Sequence, residues 1–123
     1  MPEYPATERT LAKVEANYAR LSQQFGFEVR PEEDMLNGVG YPLLERGQRG
    51  AAIAALRRNA EWYAGSANVH DSLGEALEAA GRLEEARQSY ARAIALDPKR
   101  PAFQEHLERV TRRVAPVDKS LSR

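Results

Sequence analysis

The chain repeats part of its own pattern after 34 positions, and this feature constrains its fold more than any other. Gly40 aligns with Gly74, and Gly47 aligns with Gly81. The alignment extends to five further pairs: Leu36 and His70, Val39 and Leu73, Leu43 and Leu77, Ala52 and Ala86, Leu56 and Tyr90. Self-similarity at a period of about 20–50 residues is typical of stacked supersecondary units. We therefore interpret the chain as a repeat array.

The segments between the glycines and prolines favour helices. They are rich in alanine, leucine, glutamate and arginine, which are strong helix formers, and they lack the alternation of β-branched residues expected of strands. The sequence therefore predicts an all-α fold, with helices near residues 7–25, 32–45, 49–63, 67–80, 83–96 and 101–114. Pro42 lies inside the second of these helices and is expected to kink or shorten it.

The composition bears on the partners and the cellular compartment that we expect for the protein. The 123 residues suit one small domain, and 18 basic side chains balance 18 acidic ones. Overall attraction to nucleic acid or to an anionic membrane is therefore not expected. Without cysteine the chain forms no disulfide. The sequence shows neither a signal-peptide pattern nor an apolar run of about 18 residues, so we predict a cytoplasmic protein that does not bind membranes.

Glycines inside helices call for a compensating contact, because each costs about 1 kcal/mol relative to alanine. We predict that Gly40 and Gly74 let the two helices of each unit approach closely. In this interpretation Ala52 and Ala86, on the second helix of each unit, lie opposite the missing Cβ atoms.

Two units leave apolar faces open at both ends of the array. The stripe from Leu11 to Phe25 on the first helix is expected to cover unit one. On the last helix, Phe103, Leu107 and Val110 are expected to cover unit two. The same helix would turn three arginines to water: Arg109, Arg112 and Arg113.

The second unit resembles the tetratricopeptide repeat (TPR), a helix-turn-helix unit of about 34 residues. The residues that carry the resemblance are Leu73, Gly74, Ala86, Tyr90, Ala93 and Pro98. In the first unit Asn59 and Ala64 replace the expected alanine and proline. The resemblance implies a two-unit TPR-like α-α superhelix with a flanking helix on each side. Its parts would be an N-terminal helix and linker packed on the repeats (1–30), the repeat domain (31–115, with units at 33–66 and 67–100 and a capping helix at 101–114) and a flexible tail (116–123).

A longer stretch resembles a more particular group. The segment "YARLSQQFGFEVRPEEDMLNGVGYPLLERG", together with "SANVHDSLGEALEAAGRLEEA", is similar to the C-terminal TPR extension of some bacterial serine esterases and related hydrolases. The hydrolase domain itself is absent, because its parallel sheet needs far more chain. This resemblance implies an accessory module separated from its catalytic domain.

The sequence shows no catalytic constellation. In "HDSLG", His70, Asp71 and Ser72 are consecutive helical residues, so their side chains diverge and cannot form a triad. Neither His70 nor His106 has a carboxylate beside it at ligand spacing, which argues against a metal site. We therefore predict a non-enzymatic protein without cofactor or metal.

The TPR resemblance implies a concave partner-binding face formed by the first helix of each unit. The residues that map to it are Asp34, Asn37, Tyr41, Asn68, Asp71, Glu75 and Glu78. The terminal helix would add Glu105 and Arg109. Because the face is mostly acidic, we expect a basic or neutral protein or peptide partner rather than an acidic one or nucleic acid. Three alternatives stay open: a face that is merely hydrophilic, an esterase accessory domain, and a homo-oligomer formed through the repeat ends.

Overall fold

The computed structural model describes residues 8–26, 28, 30 and 32–121, and within them it contains helices and no strand. These residues form six helices: α1 (Glu8–Phe25), α2 (Glu33–Glu45), α3 (Arg49–Trp62), α4 (Ala67–Ala79), α5 (Leu83–Leu96) and α6 (Pro101–Leu121). The bounds of α4 and α5 are those of α2 and α3 shifted by 34 positions. The predicted all-α repeat fold is therefore confirmed.

The first helix of each unit ends in the same way. Gly47 follows α2 with a φ of 77°, a left-handed conformation that glycine adopts without steric cost. Its N–H donates to the carbonyl of Leu44 at 3.0 Å, and the Gln48 N–H donates to the carbonyl of Leu43 at 2.9 Å. Gly81 repeats this Schellman arrangement after α4, with a φ of 78°. The repeat therefore extends to the turns between the helices.

The predicted close approach of the helices is confirmed, but the residues opposite the glycines differ from those expected. A Cβ on Gly40 would lie 2.6 Å from Cγ of Leu56, and a Cβ on Gly74 would lie 2.6 Å from Cε1 of Tyr90. Each large side chain thus rests on the bare backbone of the neighbouring helix. Leu56 and Tyr90 are themselves related by the 34-residue period.

The expectation that Ala52 and Ala86 would lie opposite these Cβ positions is wrong. Both alanines are completely buried, but the glycines face the residues four positions later. Residues four apart share one face of a helix, so the contact has moved one turn along the second helix of each unit. A large side chain fills the space above each glycine there.

The core follows the chain from α3 to α6. Its main cluster includes Leu56, Leu77, Tyr90 and Val110, which come from four successive helices. Phe103 of α6 is also buried, and Leu107 packs against the same cluster. These contacts place α6 against unit two, as predicted from its apolar residues.

Helix α6 takes the place of the first helix of a third unit. It begins at Pro101, which lies 34 positions after Ala67, the first residue of α4. It carries Glu108 at the position where the two units have glycine. It also continues to Leu121, beyond the predicted end at residue 114 and into the segment expected to be a flexible tail.

Helix α1 stands apart from this packing. The extensive contacts between described helices run in chain order from α2 to α6, whereas α1 makes few. Val14, Tyr18 and Leu21 of its apolar stripe are half-buried, and Phe25 is 55% exposed. That α1 covers unit one therefore stays a prediction. None of the described helices has the length and apolarity needed to span a bilayer.

Candidate functional site: the first-helix face

The first helices α2, α4 and α6 share one face, which we call the first-helix face. The hydroxyl of Tyr41 on α2 lies 3.0 Å from Oγ of Ser72 on α4. His106 on α6 contacts Asp71 on α4, with 2.8 Å between Nδ1 and Oδ1. These contacts hold the three helices side by side. An open groove of about 480 Å³ runs between them, lined by Leu44, Glu75, Glu78, Ala79, His106, Arg109 and Arg113.

Glu78 is the most extensively hydrogen-bonded carboxylate on this face, and its side chain is only 8% exposed. Arg109 donates two hydrogen bonds to it, from Nε at 2.9 Å and from Nη2 at 2.6 Å. Arg113 donates a third at 3.0 Å, and the Tyr90 hydroxyl donates a fourth at 2.8 Å. Buried charges require such pairing, and hydrogen bonds to charged groups are about twice as strong as neutral ones.

The arginines of α6 determine the protonation of Glu78. Hydrogen bonding from Arg109 lowers the pKa of Glu78 from 4.5 to about 2, although burial acts in the opposite direction. Hydrogen bonding to Glu78 also raises the pKa of Arg109. Arg109 and Arg113 are exposed, as expected, but both also donate to Glu78, so both ends of this contact are charged at neutral pH.

Glu75 has a different environment from its neighbours. It is half-buried, and burial together with the negative charge of Asp71 raises its pKa. Burial also raises the pKa of the Tyr41 hydroxyl, and the charge of Glu75 acts in the same direction. Within the part of the chain that the structure describes, Glu75 has no ion-pair partner. It is therefore the carboxylate of α4 that is most available to a ligand.

The structure distributes the predicted face residues over three situations. Tyr41, Glu75 and Asn68 have exposed or half-exposed side chains. Three others are buried and already bonded within the protein: Asn37, Asp71 and Glu78. Asp34 belongs to α2, but its side chain lies outside the described residues. Glu105, expected from α6, is exposed. Hence only part of the predicted set can touch a partner directly.

Unit one departs from the repeat pattern for a visible reason. Asn59 is completely buried, and its Nδ2 donates to Oδ1 of Asn37 at 3.0 Å and to the carbonyl of Glu33 at 2.9 Å. Asn37 and Asn59 align with Asp71 and an alanine in unit two. The asparagine that replaces the alanine therefore serves to bond the asparagine of the first-helix face.

The sequence interpretation missed the grouping of Asp71, Glu75 and His106. Each offers a ligand atom, and these atoms all lie within 4.8 Å of one another. Sequence spacing relates His106 only to carboxylates near it in the chain, whereas its partner lies 35 positions away. The 34-residue period could have indicated this contact. It makes His106 of α6 equivalent to Ser72 of α4, which is the residue next to Asp71.

The side chains of the consecutive residues His70, Asp71 and Ser72 do not converge on one point. His70 Nε2 lies 2.8 Å from the carbonyl oxygen of Ala64, while Asp71 and Ser72 contact α6 and α2. The three side chains thus point to three different parts of the molecule. This divergence is the one expected of consecutive helical residues.

Known proteins place this architecture in a class. Residues 67–100 match the family model of the tetratricopeptide repeat, so α4 and α5 with their flanking turns are a TPR. These are the bounds predicted for unit two. The whole array of described helices has a TPR-like helical-repeat fold.

A solved structure of MamA from AMB-1 is similar to this chain. The two share 20% identity with a TM-score of 0.64, and the match covers 95% of this chain and 60% of that chain. The match therefore spans less than two thirds of the solved MamA chain. At 20% identity the likeness shows the fold alone. No curated protein matches the sequence significantly.

Proposed function

We propose that this chain is a non-catalytic protein-interaction module that binds a segment of a partner protein along the first-helix face. The observation that carries the proposal is the open groove between α4 and α6, which polar side chains of successive first helices line. The TPR match at residues 67–100 supports it, since tetratricopeptide arrays bind peptides or helices on this face. Rigid elements hold the groove, so little ordering is required on binding.

Partner contact falls to Tyr41, Asn68 and Glu75, whose side chains reach the surface. The hydroxyl and the amide can bond the backbone of an extended segment, because each offers both a donor and an acceptor. Asn37, Asp71 and Glu78 support the face from beneath through their bonds to other helices. Asp34 stays a predicted contact.

A basic or neutral segment fits this face better than an acidic one. Arg109 and Arg113 are engaged by Glu78, which leaves the charge of Glu75 without an ion-pair partner in the described residues. A lysine or arginine of the partner would supply one. An acidic segment would meet the like charge of Glu75.

Fluorescence anisotropy with labelled 12-residue peptides tests the proposal. Lysine-containing and neutral peptides should bind, and an acidic peptide of the same length should not. Glu75→Lys should weaken the basic peptide at least tenfold. The matched control is Glu108→Lys, an equal charge change on an exposed residue at the glycine-equivalent position of α6. Equal binding by both variants, or preference for the acidic peptide, would reject the assignment.

Two further associations stay predictions. The esterase-like connecting segment predicts an encoded or fused hydrolase partner, and gene context would test it. The open ends of the repeat array predict self-association, for which light scattering over a concentration series is the direct measurement.

A further inference from the structure

Two carboxylates and one imidazole meet between α4 and α6, and partner binding does not explain why His106 lies against Asp71 within this set. We propose that Asp71, Glu75 and His106 bind a divalent transition-metal ion of the Zn²⁺ type. The candidate ligand atoms of the three side chains lie within 4.8 Å of one another. This assignment goes beyond the proposed partner-binding role, because it requires no second protein.

The Asp71–His106 pair is close to a coordinating separation. Zinc bonds to nitrogen and oxygen are about 2.0–2.2 Å long, which places neighbouring ligand atoms roughly 3.4 Å apart around a tetrahedral ion. Oδ1 of Asp71 and Nδ1 of His106 are 2.8 Å apart. An ion can therefore replace the shared hydrogen if the two ligand atoms move apart by roughly 0.6 Å.

Glu75 supplies the third ligand from the same face as Asp71. The two residues are four positions apart on α4, so their side chains lie one above the other. Two neighbouring carboxylates repel each other when both are charged. A divalent cation would cancel that repulsion, and the flexible Glu75 side chain can close the remaining distance.

The scaffold around the three ligands is built without the ion. About one turn along α4 from Glu75, Glu78 holds Arg109 and Arg113 of α6, which fixes the spacing of the two helices. The same contacts draw the two guanidinium groups to Glu78, whose negative charge offsets part of their positive charge near a bound cation. Asp71 is 6% exposed, so its orientation is set by packing.

The donor set selects the class of metal. An imidazole with two carboxylates suits Zn²⁺ and its neighbours, whereas Ca²⁺ prefers six to eight oxygen ligands. Glu75 and His106 line the open groove of about 480 Å³, which leaves room for water in the remaining coordination positions. Three protein ligands and an open position are the arrangement of an accessible zinc site rather than a closed structural one.

Calorimetric titration of the full, tag-free chain with ZnCl₂ tests this site. We expect binding of one ion per chain and a rise in the melting temperature with added Zn²⁺. Glu75→Gln and His106→Asn should each weaken binding at least tenfold. His70→Asn is the matched control, because His70 bonds to the Ala64 carbonyl outside the groove and should not affect Zn²⁺.

The outcomes separate the site from adventitious binding. Equal affinity in the wild type and in His106→Asn would overturn the proposal, as would a loss of binding in His70→Asn. Circular dichroism establishes that each variant is folded. If either groove variant is not, NMR of the imidazole nitrogens in the wild type decides: Zn²⁺ should shift the signals of His106, and a shift confined to His70 would reject the site.

Discussion

Gly74 lies beneath the ring of Tyr90, and replacing it measures how tightly unit two is packed. In Gly74→Ala the new Cβ would lie 2.6 Å from a ring that is completely buried and cannot swing away. Overpacking of this kind costs about 1–3 kcal/mol, which outweighs the gain in helix propensity of up to about 1 kcal/mol. We expect a lower urea midpoint than that of the wild type.

Gly38→Ala provides the matched control, because Gly38 is also helical but a Cβ there would meet nothing within 4 Å. Only the propensity gain remains, so this variant should be as stable as the wild type or up to about 1 kcal/mol more stable. If both variants gained stability, the approach of α5 to α4 would be looser than the structure indicates.

Glu78 should make the stability of the fold depend on acid. Its pKa is about 2 in the folded chain and 4.5 ordinarily, so its contribution is complete above pH 4.5 and disappears as the pH falls through about 2. Glu78→Gln should cost about 1–3 kcal/mol at pH 7, since it weakens charged hydrogen bonds to half-exposed arginines. It should also flatten the loss of stability between pH 4.5 and 2, measured by urea unfolding at each pH.

The control for this experiment is Glu84→Gln. Glu84 pairs with Arg87 on the surface of α5. This hydrogen bond also lowers the pKa of Glu84, but solvent screens it, so the replacement should change the pH dependence much less than Glu78→Gln does. A Glu78→Gln variant that follows the wild-type acid curve would mean that Arg109 and Arg113 do not hold this carboxylate in solution.

At this scale the sequence predicts apolar contacts better than polar pairs. Phe103 and Val110 are buried as their spacing implies, because apolar periodicity reports which side of a helix faces the core. The pairing of Glu78 with Arg109 depends instead on the rotation of α6 relative to α4. No local pattern encodes that rotation, so the arginines looked like a solvated charge run.

Helix α2 contains Pro42, where unit two has Ala76. Exchanging the two residue types measures how much the proline costs the stability of the helix. The helix continues through the proline to Glu45, although proline has no N–H to donate. Pro42→Ala should restore that donor and stabilise the protein by about 1–3 kcal/mol, measured by urea unfolding, with slower amide exchange in α2. The reciprocal Ala76→Pro should destabilise strongly, since Ala76 is completely buried. Unchanged stability in Pro42→Ala would show that packing of the ring offsets the lost bond.

Helix bounds were predictable because glycine determines where the first helices end. Gly47 and Gly81 adopt a positive φ, which the sequence indicates by glycine alone. The end of α6 was not predictable in this way. Pro116 is a residue type that usually ends a helix and so favours an end near residue 114, but α6 continues through it to Leu121.

For the whole molecule, the 34-residue period constrains both fold and face. It sets the bounds of α2–α5 and the start of α6, and it brings His106 beside α4. It does not determine which side chains remain accessible: Asn37 is buried by its bond to Asn59, and Asp71 is buried beside His106. Accessibility depends on these pairings between helices, which is why the predicted face was larger than the observed one.

Stacked units contact only their neighbours, so stability should be graded along the chain. Helices α4 and α5 are packed on both sides and share the main core cluster, whereas α1 makes few contacts with the other described helices. Native-state amide exchange followed by mass spectrometry should therefore show the slowest exchange in α4 and α5, faster exchange in α2, and the fastest in α1. Protection of α1 equal to that of α5 would instead mean that the Val14–Phe25 stripe is fully covered in solution. Because exchange is read helix by helix without any substitution, the result depends on the packing order alone.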